Sequence, residues 1–368
     1  MIAHTKNHRP THNLILIAVA ITLATATSVF SEDASTKVYE NKLTEIKDPK
    51  PLLADYPEFV QPVVETTRYE APMLVDDENG DLDVRAWRFC YNARGIIEMP
   101  NRLDAKHTAV IVVHPWGIDD SQGWRSPEPA GVSDMCTPEK NRLSARHTEQ
   151  VIDPFLKKMR ERVGLVVYSL PQNEMPVHAK LYRSIRKTPT AAEREEGRRE
   201  LKQILSNFPY RGQPLPAKLN LSRTSTVKDY FRQFPGLDAS ARYEGAGFWD
   251  LPIPVIDVIS VAPTDVVIYD KEGYPSLRDF LKKQGIEHVL LTGYATDMCF
   301  CKTTAGYENL SQDFNVFLVG DASLATFPSN NTPKYAQNAH ISHAALEHLI
   351  TQVNWIQFRK DTKTAKAD

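Results

Sequence analysis

The stretch LLTGYATDMCFCKTTAG, residues 290–306, joins an apolar strand to a Gly/Thr turn, two cysteines and a predicted helix. The sequence around it alternates in the same way. TAVIVV (108–113) and GLVVYSL (164–170) are typical of buried strands, and HTEQVIDPFLKKMRERV (147–163) has apolar residues at helical spacing. Because strands that alternate with helices pair in parallel through right-handed crossovers, we predict a doubly wound, mainly parallel α/β sheet with helices on both faces.

The second half of the chain continues this alternation. DVVIY (265–269) and NVFLVGDAS (315–323) are predicted strands. SLRDFLKKQG (276–285) is a predicted helix, another helix is expected after Cys299, and HISHAALEHLITQV (340–353) is the predicted final helix. The α/β pattern therefore extends almost to the end of the chain.

The 368 residues are predicted to divide into segments of different character. The turn signal DDENGD precedes the alternating run LDVRAWRFCYN, which indicates a small β extension before the α/β domain. A Pro-rich, charged arm comes before that extension, and a charged helical segment interrupts the domain. The predicted boundaries are 1–31 signal peptide, 32–105 arm and β extension, 106–360 α/β domain, about 185–245 charged helical insertion, and 361–368 tail.

The first 31 residues have the pattern of a secretory signal peptide. Lys6 and Arg9 precede an apolar run at 14–26, and small residues follow near Ser28 and Ser31. The run is shorter than the roughly 20 residues that span a bilayer. We therefore expect a secreted or periplasmic protein without a stable membrane span after processing, and a membrane anchor is the alternative.

An oxidising compartment would allow disulfides among the four cysteines, Cys90, Cys136, Cys299 and Cys301. Their number does not select a pairing. A C-x-C pair at a helix start is poorly placed to bridge to itself, because its side chains diverge. Cys301 is therefore predicted to be packing, or a partner for Cys90 or Cys136.

The charge balance argues against a nucleic-acid partner. The chain has 44 basic and 46 acidic residues, so its formal net charge is -2 and no global field attracts polyanions. We expect a small-molecule partner instead, and the sequence leaves a homo-oligomer open.

Cys299 lies where a predicted strand turns into a helix, which is the position of interest in the opening stretch. Backbone N–H groups at a helix start favour a thiolate, and ligands bind at the carboxyl ends of strands in this kind of sheet. His114, Trp116 and Asp119 follow a neighbouring predicted strand. These residues are expected to face Cys299.

The opening stretch resembles the isochorismatase-like cysteine hydrolase family. The family motif G-x-x-T-x-x-C is matched by Gly293, Thr296 and Cys299, and GDAS follows the next strand at 320–323. The resemblance covers most of 107–353. It implies a Cys nucleophile, an Asp at the end of the first strand as proton acceptor, and a Lys on a middle strand.

Two of these three family positions differ in this chain. His114-Pro115-Trp116 stands where the family has Asp-x-Gln, and the family Lys falls near Tyr269, with Lys271 as the nearest lysine. His114 itself is one candidate base, because an imidazole can take a thiol proton near neutral pH. Asp119 or Asp120 folding back into the vacant carboxylate position is the alternative.

Substrate contacts are predicted around the same turn. Ala295 and Thr296 belong to the Cys turn, and Trp116 and Trp249 are candidates for an apolar pocket or for core packing. Some family amidases bind a metal through Asp-x-His after the second strand. That strand here runs into SLPQNEMPVH (169–178), which has no Asp-x-His, so we expect no metal and no other cofactor.

Three functions are compatible with this pattern. The first is a secreted hydrolase that cleaves an amide-type C–N bond or an ester of a small molecule through a thioester on Cys299. The second is a degenerate family member that binds a small molecule or a protein without turnover. The third makes Cys299 and Cys301 redox or disulfide partners.

Overall fold

The computed structural model describes residues 36–60, 62–117, 138–208, 217–231, 250–296, 298–325 and 351–359. Residues 1–40 form one compact unit and 41–368 a second. Only 36–40 of the first unit are described, and they have no regular structure. No helix in the described parts is both long enough and apolar enough to cross a membrane.

One sheet organises the second unit, and eleven described strands build it. The strands are β1 Thr44–Glu45, β2 Arg68–Glu70, β3 Leu82–Cys90, β4 Gly95–Leu103, β5 Thr108–Val113, β6 Leu165–Leu170, β7 Arg183–Ser184, β8 Val266–Tyr269, β9 His288–Tyr294, β10 Asn315–Leu324 and β11 Thr351–Phe358.

The strand order confirms the predicted mainly parallel α/β sheet. The order is β1-β2-β4-β3-β11-β10-β9-β5-β6-β8-β7. All pairs from β11 to β7 are parallel. The strands before β5 add to the same sheet through the antiparallel pairs β11–β3 and β3–β4. The N-terminal extension therefore continues the sheet and does not form a separate one.

Helices cover both faces of this sheet. They are α1 Pro138–His147, α2 Asp153–Arg160, α3 Pro176–Leu181, α4 Ala191–Ser206, α5 Thr226–Phe231, α6 Tyr274–Lys283, α7 Cys299–Lys302 and α8 Tyr307–Leu310. A π-helical turn, Thr148–Ile152, joins α1 to α2.

Alternate residues of β5 show the two faces. Val110 and Val112 pack into one core with Leu156 of α2. Ile111 packs into the other core with Leu277 of α6. A strand that is buried on both sides has no polar alternation, which explains its continuous apolar sequence.

The charged insertion contains the helix that its sequence predicts. Thr190 and Glu193 form a capping box that fixes the start of α4. Leu201 and Leu205 on one side of α4 are buried in the core beside α3. This helix is therefore part of the packed body.

The segment predicted as an extended arm also packs. Leu52, Phe59 and Val60 are buried in the same core as the β5 side chains. The Phe59 ring meets the His147 ring edge-on, with centroids 5.1 Å apart. These apolar side chains anchor a proline-rich stretch whose sequence shows no regular hydrophobic period.

Two helix predictions need correction. The helix expected after Cys299 is two short helices, because Thr303 adopts an extended backbone and ends α7 after four residues. The predicted final helix at 340–353 lies outside the described residues up to 350, and from Thr351 the chain is strand β11. Pairing with β10 on one side and β3 on the other decides this local structure.

Candidate active site

Parallel register brings three chain segments to one edge of the sheet. Val113 of β5 pairs with Gly293 of β9 on one side and with Ser169 of β6 on the other. Leu170 of β6 pairs in turn with Tyr269 of β8. His114, Asp270 and the Cys turn therefore all leave the sheet at the same carboxyl-terminal edge, where doubly wound folds bind ligands.

Gly293 allows the Cys turn to pass close to β5. Its φ is +102°, in a region that L side chains rarely adopt. A Cβ on this residue would lie 2.2 Å from the Val113 carbonyl oxygen. A side chain would therefore push the turn and Cys299 away from the end of β5.

His114 is held in a fixed and unusual backbone conformation. Its φ is +46°, which is left-handed for a residue that carries a Cβ. Its N–H donates to the Ser169 carbonyl at 3.0 Å, and its carbonyl accepts from the Trp116 N–H at 2.9 Å. The next residue, Pro115, accepts from the Ile256 N–H at 2.8 Å. Strained conformations of this kind persist where the surroundings determine them, often at functional sites.

The buried His114 ring contacts Asp270. Its Nε2 lies 3.1 Å from Asp270 Oδ2, and the Asp270 side chain is 25% exposed. Trp116 packs beside the imidazole with ring centroids 5.1 Å apart. Asp270 directly follows β8, next to the position expected for the family Lys, and the sequence analysis did not identify it. The available signal was a carboxylate at the end of a buried strand.

Electrostatic interactions link this pair to Cys299. Burial lowers the pKa of His114, but the charges of Cys299 and Asp270 outweigh burial and raise it to about 10. The second ring nitrogen, Nδ1, is buried and has no hydrogen-bond partner among the described residues. His114 and Asp270 are thus in direct contact, and the charge of Cys299 acts on the same imidazole.

Thr304 ties the Asp270 turn to the Cys segment. Its Oγ1 donates to the Asp270 carbonyl at 2.6 Å. Asp270 begins a 3-10 turn that ends at Glu272. The hydrogen bond therefore fixes the carboxylate relative to the residues that follow Cys299.

A polar network supports the same strand end from within one core. The Tyr294 hydroxyl lies 2.8 Å from His147 Nδ1 and 2.8 Å from Thr148 Oγ1. His147 Nε2 lies 2.6 Å from the Asp321 carbonyl oxygen. Burial lowers the pKa of His147 to about 4, so this histidine is neutral at physiological pH. The network holds the strand that leads into Cys299.

The predicted site residues have different outcomes. Cys299 influences the His114 imidazole electrostatically, and Trp116 packs on His114. Lys271 does not join them, because its side chain is exposed while its backbone N–H donates to the Gln172 carbonyl. Its neighbour Asp270 points at His114 instead.

Other predicted residues are buried or lie outside the described residues. Ala295 and Thr296 are buried, and the Thr296 hydroxyl has no hydrogen-bond partner among the described residues. Asp119, Asp120 and Trp249 fall outside the described residues.

The described cysteines Cys90, Cys299 and Cys301 form no disulfide, and Cys136 is outside the described residues. Cys301 is buried, and its thiol lies 3.4 Å from the Thr296 carbonyl oxygen. No three His, Cys, Asp or Glu side chains within the described ranges are grouped in a way that would hold a metal ion.

One family model matches part of the chain. Residues 254–349 match the model of the Isochorismatase domain. The comparison with curated proteins gave no match. The matched region contains the Cys turn and the Asp270 turn, and it confirms the isochorismatase-like resemblance.

Similar solved structures include several hydrolases. A cysteine hydrolase from Pseudomonas syringae pv. phaseolicola 1448A is 16% identical, with 67% of this chain and 87% of that chain covered and a TM-score of 0.35. The nicotinamidase PncA from Bacillus subtilis is 13% identical, with 67% and 98% covered and a TM-score of 0.31. YcaC from Pseudomonas aeruginosa is 14% identical, with 73% and 81% covered and a TM-score of 0.27.

Proposed function

We propose that this isochorismatase-like chain is a hydrolase that cleaves an amide-type C–N bond or an ester of a small molecule through a thioester on Cys299. The observation that carries the proposal is the His114–Asp270 contact at 3.1 Å, with Cys299 acting on the same imidazole. A nucleophile, a proton carrier and a group that orients the carrier are the parts that covalent acyl transfer requires.

The raised pKa of His114 determines the order of proton transfers. The imidazole enters the reaction protonated, and an imidazolium beside sulfur stabilises a thiolate. Cys299 Sγ attacks the carbonyl carbon and forms a C–S bond. His114 gives its proton to the leaving nitrogen or oxygen as the C–N or C–O bond breaks.

Deacylation returns the site to its starting state. The neutral His114 takes a proton from water while the oxygen attacks the thioester carbon. The C–S bond breaks, the carboxylic acid leaves, and sulfur is again a thiolate beside an imidazolium. His114 therefore acts first as an acid and then as a base, and Asp270 keeps its ring in one orientation throughout.

This arrangement gives a chemical reason for the departures from the family pattern. The family's acidic position holds His114, and Asp270 lies beside the position of the family's Lys. The site thus keeps one cationic and one anionic residue, but the cationic residue stands at the family's Asp position and the anionic residue stands beside the family's Lys position. The α7 helix has only four residues, so its dipole contributes little at Cys299.

A screen of small amides, ureides and esters tests the proposal. We expect wild-type turnover to disappear in Cys299→Ala and to fall by about 10²- to 10⁴-fold in His114→Ala, the usual contribution of general acid–base catalysis. Cys301→Ala is the matched control, since this buried thiol lies two residues away. Turnover that survives Cys299→Ala would reject the thioester. Turnover that survives His114→Ala would reject His114 as the base and leave Asp119 as the alternative. Binding without turnover in the wild type would indicate a degenerate binding protein.

We also propose that residues 1–31 are a signal peptide and that the mature protein is exported. The apolar run at 14–26 after Lys6 and Arg9 supports this. Intact-mass measurement of the exported protein should show a chain that begins after Ser28 or Ser31. Recovery of the full precursor in the membrane fraction would reject cleavage.

A further inference from the structure

A group of buried polar side chains lies next to Asp270 in the chain and in space. We use the term polar cluster for Glu174, Tyr269, Glu272 and the His178 ring that stacks on Tyr269. The Glu272 side chain is 2% exposed, and neither of its carboxylate oxygens has a hydrogen-bond partner among the described residues. Its nearest cation is the exposed Arg186, at 4.0 Å.

Four further atoms of the polar cluster are buried without a hydrogen-bond partner among the described residues. They are Glu174 Oε1, the Tyr269 hydroxyl oxygen and both ring nitrogens of His178. Burial raises the pKa of Tyr269 well above its usual value, and the charges of Glu174 and Glu272 raise it further. The charges of both carboxylates therefore act on the hydroxyl of this fully buried tyrosine. Buried polar atoms are almost always paired in native proteins, so a concentration of unpaired ones indicates a missing partner.

The chemistry of the polar cluster defines that partner. All four unpaired oxygens can accept hydrogen bonds, and two carboxylates supply negative charge. Burial lowers the pKa of His178 to about 4, so this ring is neutral and adds no compensating charge. His178 stacks on Tyr269 with centroids 5.5 Å apart and an interplanar angle of 13°, which provides an aromatic wall. Carboxylates beside an aromatic wall suit a guanidinium or alkylammonium group.

The polar cluster is attached to the candidate active site. Glu272 follows Asp270 by two residues, so their Cα atoms are at most about 7 Å apart. Tyr269 directly precedes Asp270. The Gln172 carbonyl accepts from the Lys271 N–H at 2.8 Å, which joins the loop that carries Glu174 to the same turn. The polar cluster is therefore joined through the backbone to the turn that carries Asp270, the carboxylate in contact with His114.

We propose that Glu174 and Glu272 bind the cationic end of the substrate, a guanidinium or primary ammonium, while the scissile carbonyl lies at Cys299. The placement of the scissile carbonyl at Cys299 rests on the proposed function. The site for an organic cation is supported by the polar cluster alone.

A binding experiment with matched probes tests this site without turnover. The protein is the full chain carrying Cys299→Ala. The probes are ω-guanidinoalkanamides with short spacers and the ω-ureidoalkanamides of the same length, which keep shape and donors but lack charge. Calorimetry at pH 8 is suitable, because burial raises the pKa of Glu272 to about 7 and the carboxylate is ionised above that value. We expect the guanidino probe to bind on the order of 10- to 100-fold more tightly than its ureido partner.

Variants of the carboxylates locate the effect. Glu272→Gln and Glu174→Gln should each remove most of the preference for charge, and circular dichroism should show that they remain folded. Glu195→Gln is the matched control, because this exposed α4 residue pairs with Arg198 on the surface. The preference should be unchanged in that variant.

Several results would overturn the proposal. They are equal binding of the two probe types, no binding of any probe, or a preference that survives both glutamine variants. Binding of Zn²⁺ or Mg²⁺ that competes with the guanidino probe and disappears in Glu272→Gln would replace the organic cation by a metal. Selective binding without wild-type turnover would reject the hydrolase and keep the site. Hydrolysis of uncharged amides with no preference for cationic ones would keep the hydrolase and reject the cation site.

Discussion

Asp270→Asn is the sharpest test of the His114–Asp270 contact, because it removes one charge and preserves shape. Unit charges 3.1 Å apart interact by roughly 1 kcal/mol in water and about 5 kcal/mol at an effective dielectric constant of 20. Asp270 is 25% exposed, so the effect lies between these limits. At about 1.4 kcal/mol for each pKa unit, we expect the pKa of His114 to fall by about 1 to 3 units from its value near 10.

Histidine-selective NMR labelling measures this shift directly. The His114 resonance is assigned by its absence in His114→Gln, and its titration is followed in wild type and in Asp270→Asn. Asp279→Asn is the matched control, because Asp279 is 68% exposed and pairs with its neighbour Arg278. The control should leave the titration unchanged.

A companion variant separates the two sources of the raised pKa. Cys299→Ala should also lower the pKa of His114, since the sulfur charge contributes to it. If Asp270→Asn changes this pKa by less than about half a unit, far below the usual effect of an adjacent opposite charge, Asp270 is not the electrostatic partner of the ring.

Two further variants test the packing that positions the site. Gly293→Ala should destabilise the protein more than Gly285→Ala in urea unfolding. Both glycines have positive φ, but only the first would place a Cβ 2.2 Å from a backbone oxygen, and equal losses would show that the close approach to Val113 is unimportant. Phe59→Ala should lower the free energy of unfolding by about 3–5 kcal/mol, as for other buried aromatics, while the exposed Val64→Ala should change it by less than about 0.5 kcal/mol. Similar values for these two variants would mean that the segment around Phe59 does not belong to the core.

The strands next to the site could be predicted because their continuous apolar sequences indicate burial. TAVIVV and HVLLTG contain few polar residues, and the structure places them side by side as β5 and β9. Cys299 and His114 could be predicted as site residues from this alternation, because both stand where a strand ends, and ligands bind at the carboxyl ends of the strands.

Asp270 was not predictable in the same way, because its partner lies 156 residues away in the chain. A carboxylate after a strand has no local feature that distinguishes a contact with His114 from solvent exposure. The exposed Lys271 was the closer match to the family pattern, yet its side chain faces outward. A one-residue difference in a tight turn decides which side chain enters the site.

Strand β11 illustrates a different limit. The sequence from 340 to 353 has helical spacing, but Thr351–Phe358 is a β-strand. Neighbours on both sides supply its hydrogen bonds, and both come from distant parts of the chain. Local propensity is a weak guide where such pairing is available.

The positions of β1 and β7 have a consequence for how copies of this chain can associate. They are the two outermost described strands of the sheet, and each has only two residues, Thr44–Glu45 and Arg183–Ser184. A long open edge is a template on which another chain can add a strand, whereas a very short one offers few backbone groups. Strand β11 would be such an edge if the N-terminal strands did not cover it. The described strand edges therefore give little opportunity for strand exchange or fibrous growth.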